Sequence, residues 1–402
     1  MRPKGDAPYE RERAANDSHR ALVAGIVAIR WHAETKVSAT PNSKPTATHL
    51  DRPEANSATS WNQTAAAAYL DQRASWWMEW PKAARDHETF CISCHTAVPF
   101  ALSRPALRHA IAEKNPSANE RRLLDNVTKR VRLWKEVAPF YSDADRGEYK
   151  TVESRGTESV LNALILASND AQGGHLGNDT RAAFANMWAE QQTAGDNAGA
   201  WSWLRFRNEP WEADDSDFYG AALAAVATGT APEHYAARPE IKGNLKLLRA
   251  YLNRQYPAQT PVNRVALLWA SAKVPGLLAG EQQHVIISEV LSKQRTDGGW
   301  SLSSLVGAWK RADGTPQELQ SDGYATGFIA FALQQAGVPR EHAQLKQGLA
   351  WLAANQSKTA GSWPAYSLNK NEAHHISPDT ARFMNDAATA YAVLALTEPD
   401  RH

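Results

Sequence analysis

From Trp61 onward, apolar residues recur at the three- and four-residue spacing of helix faces, and no segment shows the two-residue alternation of a half-buried strand. The pattern predicts helices over residues 65–72, 105–113, 118–137, 158–169, 178–192, 216–228, 239–254, 262–272, 280–294, 322–336, 340–355 and 386–396. Alternate members differ in character. Segments 158–169, 216–228, 262–272, 322–336 and 386–396 are rich in Ala, Leu and aromatic residues on nearly every face, as helices buried all round must be. Those between them are amphipathic and charged, as an outer layer requires. Such an alternation closes a ring of six helix pairs, so the expected fold is all-α: an (α/α)6 toroid, a single domain over residues 53–402.

The joints between segments repeat as well. Gln192 precedes Gly199-Ala200-Trp201, Gln294 precedes Gly298-Gly299-Trp300, and Gln356 precedes Gly361-Ser362-Trp363. Gly permits the turn after a helix, the Gln amide can satisfy loose carbonyls at the helix end, and the Trp ring covers the joint. An acidic residue then opens the next apolar helix: Asp214 and Asp215, Asp322, and Asp386. The fullest copy runs Trp351-Leu352, three residues, Gln356, then Gly361-Ser362-Trp363. In this form the chain resembles squalene–hopene cyclases and other class II terpene cyclases, whose Gln–Trp repeats have the same layout. The resemblance covers residues 150–397 well and 61–150 weakly, and implies one toroid where triterpene cyclases carry two. Related toroids serve several functions, so the fold does not deliver one.

Composition narrows the field. Lys plus Arg number 44 against 43 Asp plus Glu, so charge predicts neither nucleic acid nor a membrane surface as partner. No apolar run reaches the ~20 residues of a membrane span. Residues 1–52 lack a sustained period and read as a disordered leader or an export signal: Arg11, Arg13 and Arg20 precede an apolar run over 21–29, although Arg30 follows at once and no small-x-small cleavage site is evident.

The only two cysteines stand in Cys91-Ile92-Ser93-Cys94-His95, the spacing at which c-type haem is attached. Two thiols three residues apart can form thioethers to the vinyl groups, with His95 as axial iron ligand. Zinc would want further ligands at a tidy spacing, and a thioredoxin-like dithiol a βαβ context; neither presents itself. The expectation is therefore one covalent haem c within the first repeat, about residues 76–109, with Trp76, Trp77 and Trp80 near the porphyrin and Arg104 or Arg108 on its propionates. The tryptophans could equally be that repeat's joint. For the sixth ligand, Met78, His87 and His109 are near in sequence, while His175, His284, His374 and His375 could approach only through the fold. Haem attachment implies a periplasmic or otherwise exported protein.

A second site candidate follows Trp201. Trp203, Asn208, Trp211, Glu212, Asp214, Asp215 and Ser216 fall in an order similar to the acidic motif of class II cyclases. The resemblance implies Asp214 as proton donor, Asp215 and Glu212 as supporting carboxylates, and Ser216 in place of the motif's Thr. Glu212 where the family has Asp, and a further charge at Asp217, depart from it. Helix capping explains the same acids, since Asp and Ser are preferred N-caps. Tyr324 and Tyr391 fall on presumed inner helices that can face the central pocket. Three functions are expected in order: a haem redox protein that transfers electrons or oxidises a small apolar or isoprenoid molecule, with a redox partner protein; a class II terpene cyclase; or a lipid- or protein-binding toroid.

Overall fold

The computed structural model describes residues 60–371 and 380–399; the leader expected over residues 1–52 lies outside them. Six helices form an inner ring: α2 (Ala97–Ala110), α5 (Lys150–Gly173), α7 (Ser216–Thr230), α9 (Pro261–Lys273), α11 (Gly323–Gln335) and α13 (Phe383–Thr397). Each packs on the next, and α13 returns to α2, so the ring closes. Six more form the outer layer: α1 (Gln63–Glu79), α3 (Ala118–Arg132), α6 (Asn178–Ala189), α8 (Lys242–Gln255), α10 (Gly280–Ser292) and α12 (Ala343–Ala354). A single extra turn, α4 (Asp143–Arg146), precedes α5, and a short antiparallel pair, β1 (Ala84–Arg85) with β2 (Thr89–Phe90), follows α1. The all-α toroid expected from the periodicity is borne out. None of the described helices is long and apolar enough to cross a membrane.

Burial follows the two compositions. Every residue of α11 is buried, whereas α10 buries only Ile286 and Val290, and α8 only Leu245, Leu248, Tyr251 and Leu252. The last set is one stripe at helical spacing. Boundaries shift most in the first repeat. α1 runs well past residue 72, so Trp76 and Trp77 sit in its last turn rather than in a joint. α2 begins eight residues before Pro105, which lies inside it. The start is set by Ser93, whose Oγ accepts from the backbone N–H groups of Thr96 and Ala97.

The repeated joints are inter-repeat clamps. In each, the Trp indole N–H donates to a carbonyl in the last turns of the preceding outer helix: Trp201 to Met187, Trp300 to Val290, Trp363 to Leu352. The Gln amide bonds the joint's Gly carbonyl and also reaches the start of the next outer helix: Gln191 to Gly199 and Asn244, Gln294 to Gly298 and Gln344, Gln356 to Gly361 and Asn62. In the first joint the clamp is Gln191, not Gln192, because a one-residue step turns a side chain ~100° round the helix end. The third joint closes the ring across 294 positions, and Asn62 N–H donates back to Gln356 Oε1 at 2.6 Å.

Gly361 takes φ +75° at that closure, and a Cβ there would stand 2.3 Å from the Ala65 carbonyl oxygen of α1. Gly314 has a similar φ of +73° with open space around it. Alanine at either position carries the cost of a left-handed backbone, but only Gly361→Ala must also push α1 away. We expect Gly361→Ala to cost more than Gly314→Ala by on the order of 1–3 kcal/mol in denaturant unfolding. Equal costs would show that the contact contributes nothing to closure.

Candidate active site at the toroid axis

The joint after Trp201 is enlarged into a hairpin. Asn208 and Glu212 pair through both backbone bonds, and the tip at Glu209 is held by Asn369, which accepts from the Glu209 N–H and donates to its carbonyl. The hairpin carries the acidic cluster, and its members separate. Asp214 is exposed. Asp215 stands at the N-cap position of α7 without capping it and accepts instead from Asn263. Ser216 Oγ accepts from Ala213 N–H. The acid that latches the joint is Asp217, bonded to the Trp203 N–H, as Asp322 is to Leu302 and Asn385 to Ala365. Each of these amides lies two residues past its joint tryptophan. An exposed Asp214 cannot be the desolvated acid that a cyclase-type protonation needs.

Of this cluster Glu209 and Asp217 are buried and Glu212 is half-buried. Burial pushes Glu209 up to about 8, helped by the charges of Asp215 and Asp214. Burial likewise pushes Glu212 up to about 7, against a hydrogen bond from Asn208 and the charge of Lys150. Glu212 faces inward, and its charge is felt at Cys91, Cys94 and Tyr141. The charge of Cys94 likewise bears on the ionisation of Tyr219, Tyr324 and Tyr391, three tyrosines of the inner helices. Tyr324 and Tyr391, on inner helices as expected, pack ring against ring at 5.5 Å between centroids.

The Cys-x-x-Cys-His segment is packed as core. Both thiols are free and buried; burial raises Cys91 to about 12 and Cys94 well above its usual value, the condition of an inert thiol. The Trp77 indole donates to the Cys91 carbonyl at 2.7 Å, and Ser93 starts α2. The His95 ring stacks on Phe383 at 3.8 Å and meets the edge of Trp77 at 5.0 Å. Burial, with the nearby Arg73 charge, lowers it to about 3, so it is neutral. The haem expectation is corrected on these grounds: aromatic rings occupy the space beside the imidazole, the sulfurs belong to the core cluster, and no described group of His, Cys, Asp and Glu is arranged to hold a metal. Of the sixth-ligand candidates, Met78 is buried on α1, His87 pairs with Asp86 at the surface, and His109 is exposed on α2. His175 pairs with Glu233 and His284 is exposed, while His374 and His375 lie outside the described residues. Arg104 is taken by Asp71 and Glu113, and Arg108 by Glu120 and Gln172.

Two features escaped the sequence reading. One is Phe383, which joins Trp76 and Trp80, already expected near His95, in an aromatic cleft of half-exposed rings: the two tryptophans stack at 5.1 Å and Phe383 lies 6.0 and 6.1 Å from them. The other is a set of buried polar atoms without hydrogen-bond partners, Trp211 Nε1, Tyr324 Oη and the Asn162 amide among them. Trp211 bridges the two, 5.9 Å from His95 and 5.6 Å from Tyr324 between ring centroids.

No protein-family model and no curated protein matches the chain. Among solved structures it is similar to variants of a glycosidase. One aligns at TM-score 0.45 and 14% identity, and another, solved in complex with glucose, at 0.46 and 15%; each alignment covers 82% of this chain and 96% of that chain. The expectations of a cyclase, of haem c and of electron transfer are corrected on the geometry above.

Burial of the thiols has a direct consequence. Cys91 and Cys94 should resist a soluble disulfide reagent in the folded chain and react fully once it is unfolded in denaturant, by at least about 100-fold in rate if access requires opening. Rapid labelling of either thiol in the native chain would contradict the packing described.

Proposed function

We propose that this protein hydrolyses glycosidic bonds, with Glu212 as the proton-transferring carboxyl. One observation carries the reading: Glu212, a carboxyl pushed up to about 7, follows Trp211, whose ring packs on His95 beside the half-exposed rings of Trp76, Trp80 and Phe383, and Trp211 Nε1 and Tyr324 Oη are unpartnered, uncharged hydrogen-bonding atoms. Flat aromatic faces suit the apolar faces of sugar rings, and neutral donors and acceptors suit their hydroxyls. Glu212 donates its proton to the oxygen of the leaving sugar as the glycosidic C–O bond breaks; water adds to the anomeric carbon, and the proton it releases restores Glu212. Asp214 and Asp215, expected as catalytic acids, stand on the outer side of the hairpin, and we propose for them only that their charge keeps Glu209 protonated. This reading rests on the axial site and not on the likeness to glycosidase structures. We also propose that the chain works outside the cytoplasm, on the basic and then apolar order of residues 11–29. Recovery of the native protein from the cytosolic fraction with this segment intact would contradict that.

Hydrolysis of a panel of aryl glycosides tests the main proposal. Glu212→Gln keeps the size and hydrogen bonding of the side chain but has no proton to give, so turnover should fall about 10²–10⁴-fold with folding intact. The needed form is the protonated one, so wild-type activity should decline as pH rises through about 7. Full activity in Glu212→Gln, or no cleavage of any glycoside by wild type, would sink the reading.

A further inference from the structure

The segment joining β2 to α2 builds a locked histidine. Thr96 Oγ1 lies 2.7 Å from Asp386 Oδ2 and 2.8 Å from His95 Nδ1. A hydroxyl has one proton, and the carboxylate can only accept it, so Thr96 must accept from the imidazole. That fixes the proton of His95 on Nδ1 and leaves Nε2 as a bare lone pair. Asp386 is itself held from the far side by Tyr69 Oη and Arg73 Nε, each at 2.8 Å. The lock is therefore anchored in α1 and α13 together. Nε2 has no hydrogen-bond partner among the described residues, and His95 is only half-buried.

Two further atoms in the same run of rings are also unsatisfied. Trp211 Nε1, on a residue 8% exposed, can only donate, and its ring meets that of Tyr324 edge-on with centroids 5.6 Å apart. Tyr324 Oη, fully buried, can donate or accept. A buried polar group left unpaired costs ~1–3 kcal/mol, and the fold retains two of them beside a locked acceptor. We infer that His95 Nε2, Trp211 Nε1 and Tyr324 Oη together form the recognition site for neighbouring hydroxyls of a neutral sugar ring, His95 accepting from one hydroxyl, Trp211 donating to it or its neighbour, and Tyr324 completing the set. The inference rests on the glycoside reading for the class of ligand, and on hydrogen-bond accounting for the site. A ligand with charge has no counterpart among these three groups, whereas a hydroxyl both donates and accepts as they require. Thr96 and Asp386 are positioning residues: they touch no ligand and act by holding the tautomer.

The test uses the full chain with glucose as probe and cyclohexanol as the ring without vicinal hydroxyls, read by tryptophan fluorescence. Tyr324→Phe removes only an oxygen that has no protein partner, so melting temperature should be unchanged or raised while the glucose dissociation constant rises about two- to tenfold. Thr96→Val should weaken glucose by a similar factor and shift the His95 ring nitrogens in nitrogen-15 NMR away from the Nδ1–H tautomer. Cyclohexanol should bind more weakly than glucose. A lowered melting temperature with unchanged glucose affinity in Tyr324→Phe, an Nε2–H tautomer in wild type, or no glucose binding at all would overturn the inference. Glucose binding without hydrolysis of any aryl glycoside would overturn the proposed reaction and leave this site standing.

Discussion

The buried carboxylate of Asp386 holds both the ring and its centre in place. It belongs to the last inner helix, yet its partners are Tyr69 and Arg73 of the first outer helix and Thr96 at the start of the first inner one. Burial alone would push the carboxyl toward its neutral form; the guanidinium and the two hydroxyls pull it back. Arg73 and Asp386 are each 2% exposed, and removing one member of such a pair leaves the other charged and dry, at a cost of roughly 3–5 kcal/mol. A toroid differs from an open helical array only in that its last repeat meets its first, and Asp386 is the buried charge in that meeting, beside the Gln356–Asn62 clamp.

The same acid reaches the axis through a single hydroxyl. Thr96 passes the orientation of Asp386 to His95, whose ring is then sandwiched by Phe383 and Trp77. Ring closure and site geometry are thus one construction, since a chain that failed to close would also lose the tautomer of its central histidine. On the opposite wall, the hairpin at residues 206–212 is tied to the loop before α13 by Asn369, so two distant joints roof the same site.

The Cys-x-x-Cys-His segment shows how one spacing serves different ends. Its residues are those haem attachment needs, but each has another occupation: Ser93 starts α2, Cys91 offers its carbonyl to Trp77, Cys94 is buried in the core cluster, and His95 joins the Asp386 network. Close packing leaves a buried thiol little reactivity and an imbedded imidazole little basicity. The acidic run after Trp201 behaves in the same way. Its order of residues is similar to a cyclase motif, while the fold exposes Asp214, buries Glu209 and half-buries Glu212.

The sequence by itself determined the fold. Helical period, the contrast between all-apolar and one-sided helices, and the Gly-x-Trp joints are properties of neighbouring residues, and each was legible within a few turns of chain. It also singled out Cys91, His95 and Glu212 as unusual. Their roles were decided only by tertiary structure, for a physical reason visible in particular residues. A step of one residue turns a side chain ~100° round a helix, which separates Gln191 from Gln192, Asn385 from Asp386, and Asp217 from Asp215. The partners that fix protonation, tautomer and exposure are hundreds of positions away, as Asp386 is from Thr96 and Gln356 is from Asn62. No local pattern encodes them, because they exist only once the ring has closed.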